Sequence, residues 1–430
     1  MRNEDNAAHR QGNGALRFFD GPEEREESMK LIHLSDLHLG KRVNEFSMIE
    51  DQEYILRQIL DIVEAEQPEA VLIAGDVYDK AVPSAEAVGL FDRFLNRLAD
   101  GSRKIFVISG NHDSAERIAF GRSLMDRSGV YLSPVFHGPV KGIPVCERNA
   151  GREDDPVMIY LLPFIKPIHA RKAFPEQEES INSYSDALDA AIRAMDIDPS
   201  KRNVLVAHQF VTGASRSDSE EISVGGLDNV NADVFSGFDY AALGHIHNPQ
   251  QIGERVRYCG TPLKYSFSEA GHEKSVTVAE LGPRARSGRE TEVAAGRPDG
   301  LCPLHIREIP LTPVRDMKEI RGSFDQVTDP AYAEQAGADR NYFRIILTDE
   351  RDVPDAVGRL RKVYPYVMRL DYDNARTRRN REIDSTEAVR EQSPEENFDA
   401  FYALQNNRPM TEEERRCVRT LIEEIWGGEA

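Results

Sequence analysis

The sequence predicts a layered α/β fold, followed by a small α+β unit and a C-terminal helical hairpin. Three observations carry that prediction. Short continuous apolar runs alternate with helical spacings from about residue 29 to residue 281, and such alternation indicates sheets covered by helices. The runs are apolar at every position, as strands buried on both faces are. After an interruption, a second and shorter set of strand and helix patterns begins, and two capping signals then open the last helices.

Taken in order, residues 1–28 are polar, contain Gly and show no usable periodicity, so they are expected to be a disordered extension or to precede the true start at Met29. Leu31 to Ser35, Ala70 to Ala74, Lys104 to Ser109, Asn203 to Ala207 and Tyr240 to Leu243 read as buried strands. Ser47 to Glu66 and Ser84 to Leu98 carry apolar residues at helical spacing. The first unit therefore spans 29–282. Residues 283–300, rich in Arg, Gly and Ala, form a linker or exposed loop. A small unit over 301–373 reads strand (His305 to Leu311), helix (Asp316 to Val327), strand (Tyr342 to Leu347), helix (Val353 to Val363), strand (Val367 to Tyr372). A basic and polar linker (374–392) precedes a helical tail (393–430), where Ser393-Pro394-Glu395-Glu396 and Thr411-Glu412-Glu413-Glu414 are capping-box starts.

Composition narrows the class. The chain is 40% hydrophobic and 30% charged, the pattern of a soluble globular protein, and no stretch approaches the roughly 18–20 apolar residues that cross a bilayer. Cys146, Cys259, Cys302 and Cys417 are widely spaced, which points to reduced thiols of a cytoplasmic protein rather than a disulfide frame or zinc site. A net charge of −20 argues against passive coating of nucleic acid, because such binding rests on Lys and Arg neutralising phosphates. It does not exclude chemistry on phosphodiesters, since bound cations can reverse the sign of a local site.

The five runs end in residues that ligate metals: Asp36 and His38, Asp76, Asn111 with His112 and Asp113, His208, and His245 with His247. Ligands gather at the carboxyl ends of strands in α/β sheets, so this order predicts one site. Hydrolysing a phosphodiester requires a nucleophile near neutral pH and stabilisation of negative charge, and two cations roughly 3.5–4 Å apart supply both. A mixed His, Asp and Asn set favours Mn²⁺-like ions over Mg²⁺. His33, inside the first run, and His137, His169, His272 and His305, which have no motif context, read as structural histidines.

The order Asp-x-His, Gly-Asp, Gly-Asn-His-Asp, His, Gly-His-x-His resembles the calcineurin-like metallophosphoesterase superfamily. Gly75 to Asp79, Gly110 to Arg117, Ala207 to Val211, Ala242 to His247 and Gly260 to Glu269 are similar to one branch of it, the SbcD nuclease subunits of bacterial SbcCD complexes. That resemblance implies a metallophosphoesterase β-sandwich flanked by helices, a capping domain and a partner-binding hairpin. It implies one metal on Asp36, His38, Asp76 and His247 and a second on Asp76, Asn111, His208 and His245, most readily Mn²⁺. His112 resembles the histidine that protonates the leaving 3′ oxygen, with Asp113 orienting its ring. Asp79 stands where some relatives carry a histidine, so any substrate contact of that residue does not transfer.

The resemblance also implies DNA as substrate, an SbcC-like SMC-type ATPase as partner, a homodimer through helices after the second and third motifs, and no membrane association. Arg344, Arg359, Arg361, Lys362 and the Arg376 to Arg381 run are candidates for phosphate contact. Val418, Leu421, Ile422, Ile425 and Trp426 share one stripe of the last helix, and Phe398, Phe401 and Tyr402 one stripe of the helix before, which suits docking on a partner. The competing reading is a stand-alone phosphodiesterase for a small molecule such as a cyclic nucleotide, and a scaffold with a decayed site disagrees with the intact ligand set.

Overall fold

The computed structural model describes residues 28–99, 103–146, 155–215, 217, 220, 229–284, 301–375, 377, 395, 398–399, 402 and 408–427. The extension 1–27, most of the two linkers and the first helix of the expected hairpin lie outside the described residues.

Two six-stranded sheets face each other. The first contains β1 (Met29–Leu34), β2 (Ala70–Ala74), β3 (Lys104–Ile108) and β4 (Val130–Leu132). The second contains β5 (Ile143–Val145), β6 (Val157–Leu161), β7 (Arg202–His208), β8 (Tyr240–Gly244), β9 (Gln250–Ile252) and β10 (Val256–Tyr258). The chain then returns to the first sheet as β11 (Ser275–Leu281) and β12 (Leu304–Pro310), giving the orders β12-β11-β1-β2-β3-β4 and β9-β10-β8-β7-β6-β5. The central strands are parallel within each sheet: β1 to β4 in the first, β6, β7, β8 and β10 in the second.

Alternation along each strand sets the layers. Leu31, Leu72, Phe106, Val206 and Ala242 point between the sheets into one wholly buried cluster. Their neighbours Ile32, Ile73 and Val107 point outward under α1 (Ile49–Glu66) and α2 (Ala85–Leu98). On the other side, Leu205 and Leu243 meet α3 (Pro167–Ala173) and α4 (Tyr184–Arg193). The result is a helix–sheet–sheet–helix sandwich, and every one of the five apolar runs is a strand in it. The runs are divided between the sheets, three in the first and two in the second.

Two element expectations are corrected. The strand expected to open the small unit pairs antiparallel with β11 and so extends the first sheet. The helix expected over Asp316 to Val327 is instead β13 (Met317–Gly322) and one short turn, Phe324–Val327. Met317, Ile320, Phe324 and Val327 fall at helical spacing, but parallel pairing with β14 (Tyr342–Leu347) wins, and Ser323 caps the turn after the strand ends. With β15 (Val367–Tyr372), α5 (Pro330–Ala336) and α6 (Ala356–Leu360), these strands form a small separate core. The small unit is clasped to the body at α1, where the Tyr342 hydroxyl donates to Asp51 at 2.8 Å and Arg315 lies 3.4 Å from the same carboxylate. The last helix, α7 (Glu412–Gly427), starts with the expected capping box: Thr411 N–H donates to Glu414 at 2.8 Å, and Glu414 N–H returns a bond to the Thr411 hydroxyl.

Candidate metal centre

The loops after β1 and β2 are zipped together by backbone bonds: Asp36 N–H to the Gly75 carbonyl, His38 N–H to the Asp76 carbonyl and Leu39 N–H to the Val77 carbonyl, each about 3 Å. That pairing brings Asp36, His38 and Asp76 to one point. All three have positive φ (52°, 44° and 50°), as does His245 (99°), a conformation that non-glycine residues adopt rarely and mainly at functional sites. The glycines beside them are there for space. A Cβ on Gly110 would fall 2.0 Å from Asp76 Oδ1, and one on Gly244 would fall 2.0 Å from the Ala74 carbonyl oxygen.

The seven candidate ligands converge from both sheets. Asp76 Oδ2 lies 3.7 Å from His38 Nε2 and 3.3 Å from His208 Nε2, between the two rings. His38 Nε2 and His247 Nε2 are 3.2 Å apart. Asn111 Oδ1 sits 3.0 Å from His208 Nε2 and 2.9 Å from His245 Nδ1. Donor atoms of Asp36, His38 and His247 all lie within 4.8 Å of one another, as do those of Asp36, Asp76 and His208. His112 joins His38 and Asp76 in a third such group, so position alone leaves it the choice of ligand or acid.

The donor chemistry fits divalent cations. His208 Nδ1 is 2.8 Å from the Ala74 carbonyl, which holds a proton there and turns Nε2 toward Asp76 and Asn111, so that a cation binding at Nε2 would displace the second proton. Burial pushes His38 well below its ordinary value, so its imidazole is neutral. Burial works against charge on Asp76 too, yet His208 holds its carboxylate well below the usual range. The same pairing overrides burial at His208 and lifts it to about 9. The groups that most favour the Asp76 charge are the imidazoles of His208, His112 and His38. A buried carboxylate surrounded by basic nitrogens is the arrangement a cation completes.

Asp113 does not take its expected role. Its oxygens accept backbone N–H groups of Val77 (3.0 Å), Tyr78 (2.9 Å) and Gly110 (2.9 Å), stapling the second motif loop to the third. Burial, then the Asp76 charge, pushes it up to about 6. The His112 ring is oriented through Nδ1, 3.1 Å from the Asp79 carbonyl oxygen, while the His112 N–H donates to Asp76 Oδ1 at 2.9 Å.

Several residues at the site were absent from the sequence expectation. Glu220 accepts the His247 N–H at 2.6 Å, and Glu269, completely buried, lies 3.6 Å from His247 Nδ1. Gln52 donates to the His38 carbonyl at 2.7 Å. Glu269 closes the Gly260 to Glu269 stretch that carried part of the family resemblance, and that was the signal available for it. His33 is structural as expected: it is wholly buried, with Nδ1 2.8 Å from the Tyr240 hydroxyl, and burial lowers it to about 3.

Comparison with known proteins identifies the family. Residues 29–249 match the calcineurin-like phosphoesterase family. The SbcD nuclease of the Staphylococcus epidermidis SbcCD complex is 30% identical over 352 residues, covering 80% of this chain and 85% of its own. The chain belongs to the SbcD branch of the calcineurin-like phosphoesterases. Residues 313–406 match the type 5 capsule protein repressor C-terminal domain. Two solved structures, TT1561 of Thermus thermophilus and a dimetal phosphatase from Danio rerio, are each 11% identical. They cover 58% and 60% of this chain and 94% of their own, with TM-scores of 0.33 and 0.34.

Proposed function

We propose that this chain is the nuclease component of an SbcCD-type DNA repair and recombination complex, a Mn²⁺-dependent double-strand exonuclease and single-strand or hairpin endonuclease. The observation that carries the reading is Asp76: a buried carboxylate oxygen between His38 and His208, in a chain related along 80% of its length to an SbcCD nuclease. Asp36, His38, Asp76 and His247 would hold one cation, and Asp76, Asn111, His208 and His245 the other.

When bound, two divalent cations polarise the phosphodiester and ionise the attacking water. The protein supplies the rest. His112, half-buried beside the ligands and oriented by the Asp79 carbonyl, donates a proton to the leaving 3′ oxygen. Asp113 keeps the loop that carries it in place. The mixed nitrogen and oxygen donors favour Mn²⁺.

Three further features fit assembly with DNA and protein partners. On the segment after the third motif, Phe120 and Leu124 are 84% and 71% exposed, which suits a homodimer contact there. In the small unit Arg361 and Lys362 are exposed and available to phosphates, whereas Arg344 is engaged by Glu319 and Asp371. On the tail, the apolar stripe that includes Leu421 and Ile422 suits helix docking on the coiled-coil base of an SbcC-like SMC-type ATPase.

The test is Asp76→Ala assayed on end-labelled linear duplex with Mn²⁺. Cleavage should fall to the level seen without metal, and near-normal cleavage would refute the two-metal reading. Cyclic nucleotides offered to the unaltered protein should not be turned over at a comparable rate. If they are, the stand-alone phosphodiesterase is the better reading.

A further inference from the structure

Four buried polar side chains outside the motifs form one connected network behind His38 and His247. Gln52 Nε2 donates to the His38 carbonyl at 2.7 Å and lies 3.0 Å from the Tyr265 hydroxyl, and Gln52 Oε1 accepts the Gly40 N–H at 3.0 Å. The Tyr265 hydroxyl donates to the Leu37 carbonyl at 2.6 Å. Its ring stands edge-on to both imidazoles, 5.7 Å from His38 and 6.3 Å from His247 between centroids. The Tyr265 N–H donates to Glu269 Oε1 at 3.3 Å, the same oxygen that faces His247 Nδ1. Lys274 completes the set: its ammonium reaches Glu269 Oε2 at 2.6 Å, the Thr261 hydroxyl at 2.7 Å and the His247 carbonyl at 2.8 Å.

The network thus grips the His38 loop through its backbone and the His247 residue through its ring and its carbonyl. A carboxylate 3.6 Å from Nδ1 is a charge contact that favours the proton on that nitrogen and the Nε2 lone pair toward the centre. The other two imidazoles take their orientation from elsewhere: His208 from the Ala74 carbonyl, and His245 Nδ1 from beside Asn111. Glu269 and Lys274 are both nearly or fully buried, and a buried ion pair is weak evidence for stability alone. Holding a ligand ring is what this one is placed to do.

We propose that Gln52, Tyr265, Glu269 and Lys274 are positioning residues for a single metal subsite, that of Asp36, His38 and His247, and that they set its cation affinity separately from that of the Asn111, His208 and His245 subsite. The inference rests on the metal-centre reading above.

The experiment is calorimetric titration of the full chain with Mn²⁺ alone, combined with electron paramagnetic resonance of the loaded protein and melting of the metal-free protein. Two variants are compared with the unaltered chain. Glu269→Gln with Lys274→Met removes the charge pair together, so neither charge is stranded. Tyr265→Phe keeps the ring and removes only the hydroxyl. In each, one of the two cations should bind about 10–100-fold more weakly, the usual loss when an outer partner of a ligand is removed, and the other should be unchanged. At one equivalent of Mn²⁺ the spin-coupled pair signal should give way to that of an isolated ion. Equal weakening of both cations, or a lower melting temperature with both affinities intact, would make the network merely structural and overturn the proposal. If the Glu269 and Lys274 variant does not fold, Tyr265→Phe decides alone. If the unaltered chain itself fails to bind two cations, the metal-centre reading falls, and this inference with it.

Discussion

In the sandwich body, Leu72, Phe106 and Val206 are completely buried, whereas on the last helix Leu421 is 48% exposed and Phe398, just before it, is 40% exposed. Both regions carry large apolar side chains at regular spacing. The body buries them between two sheets that also carry the metal ligands, so its packing and its chemistry are one structure. The tail is held by ion pairs across its two segments, Arg415 with Asp399 at 3.0 Å and Arg419 with Glu395 at 2.9 Å, and leaves apolar surface uncovered. Singly exposed apolar residues are ordinary, but a stripe at the end of a helix suits a partner surface. If the proposed docking role of the tail holds, the contrast predicts that catalysis and assembly can be broken separately.

The largest separable effect belongs to the body. His112→Gln should lower DNA cleavage about 10²–10⁴-fold, the usual contribution of a positioned general acid, while Mn²⁺ titration still shows two bound cations. Loss of a cation in that variant would make His112 a ligand, a role its closeness to His38 and Asp76 also permits.

A packing change should be felt next. Phe106 is wholly buried and stacked on Tyr131 at 5.0 Å, so Phe106→Ala should destabilise the chain by about 3–5 kcal/mol, measured by denaturant unfolding. A cost near zero would contradict the closely packed inter-sheet layer.

The seam between the body and the small unit should respond less, and with pH. Burial raises the Asp51 carboxyl and the Tyr342 hydroxyl bond lowers it. Its folded value lies above its unfolded one, so its ionisation destabilises the fold as pH rises through the folded value. Tyr342→Phe removes the donor, and the cost of about 1–3 kcal/mol for an under-satisfied buried carboxylate should be present above that range and shrink below it. A gap between variant and unaltered chain that does not change with pH would contradict the assignment.

These regions also differ in how far they could be read from the sequence. Each apolar run ending in Asp, Asn or His is a strand ending at the centre, because strand burial and ligand placement both leave local marks. Of the network behind them, Tyr265 and Glu269 lie in the Gly260 to Glu269 stretch, but Gln52 and Lys274 leave no local mark, and Gln52 meets Tyr265 only across 213 positions of chain. The role of Asp113 is hidden from the sequence for a related reason. It adjoins His112 in sequence, but its oxygens turn to backbone N–H groups of the second motif loop. Helical spacing misled at Met317 to Val327, where pairing with β14 decides the outcome. Of the hairpin, Ile425 and Trp426 have side chains outside the described residues, as do Phe401 and most of the first helix, so the apolar stripe stands on Val418, Leu421 and Ile422.

The smallest expected effect on the isolated protein is also the most informative about the tail. Leu421→Lys changes a side chain that is already half exposed, on a helix whose start is secured by the Thr411 and Glu414 capping box. Stability of the isolated chain should shift by no more than about 0.5 kcal/mol, as for surface substitutions generally. Hydrolysis of a small chromogenic phosphodiester should persist, because every candidate metal ligand lies at or before His247 in the sequence. Capture of the SMC-type ATPase should be strongly reduced, since an ammonium in the middle of an apolar docking stripe must be desolvated without a partner. Loss of capture with stability intact assigns the stripe to the partner. A fall in melting temperature of several degrees with capture intact would mean that Leu421 packs on the chain's own body, and the docking reading would be withdrawn.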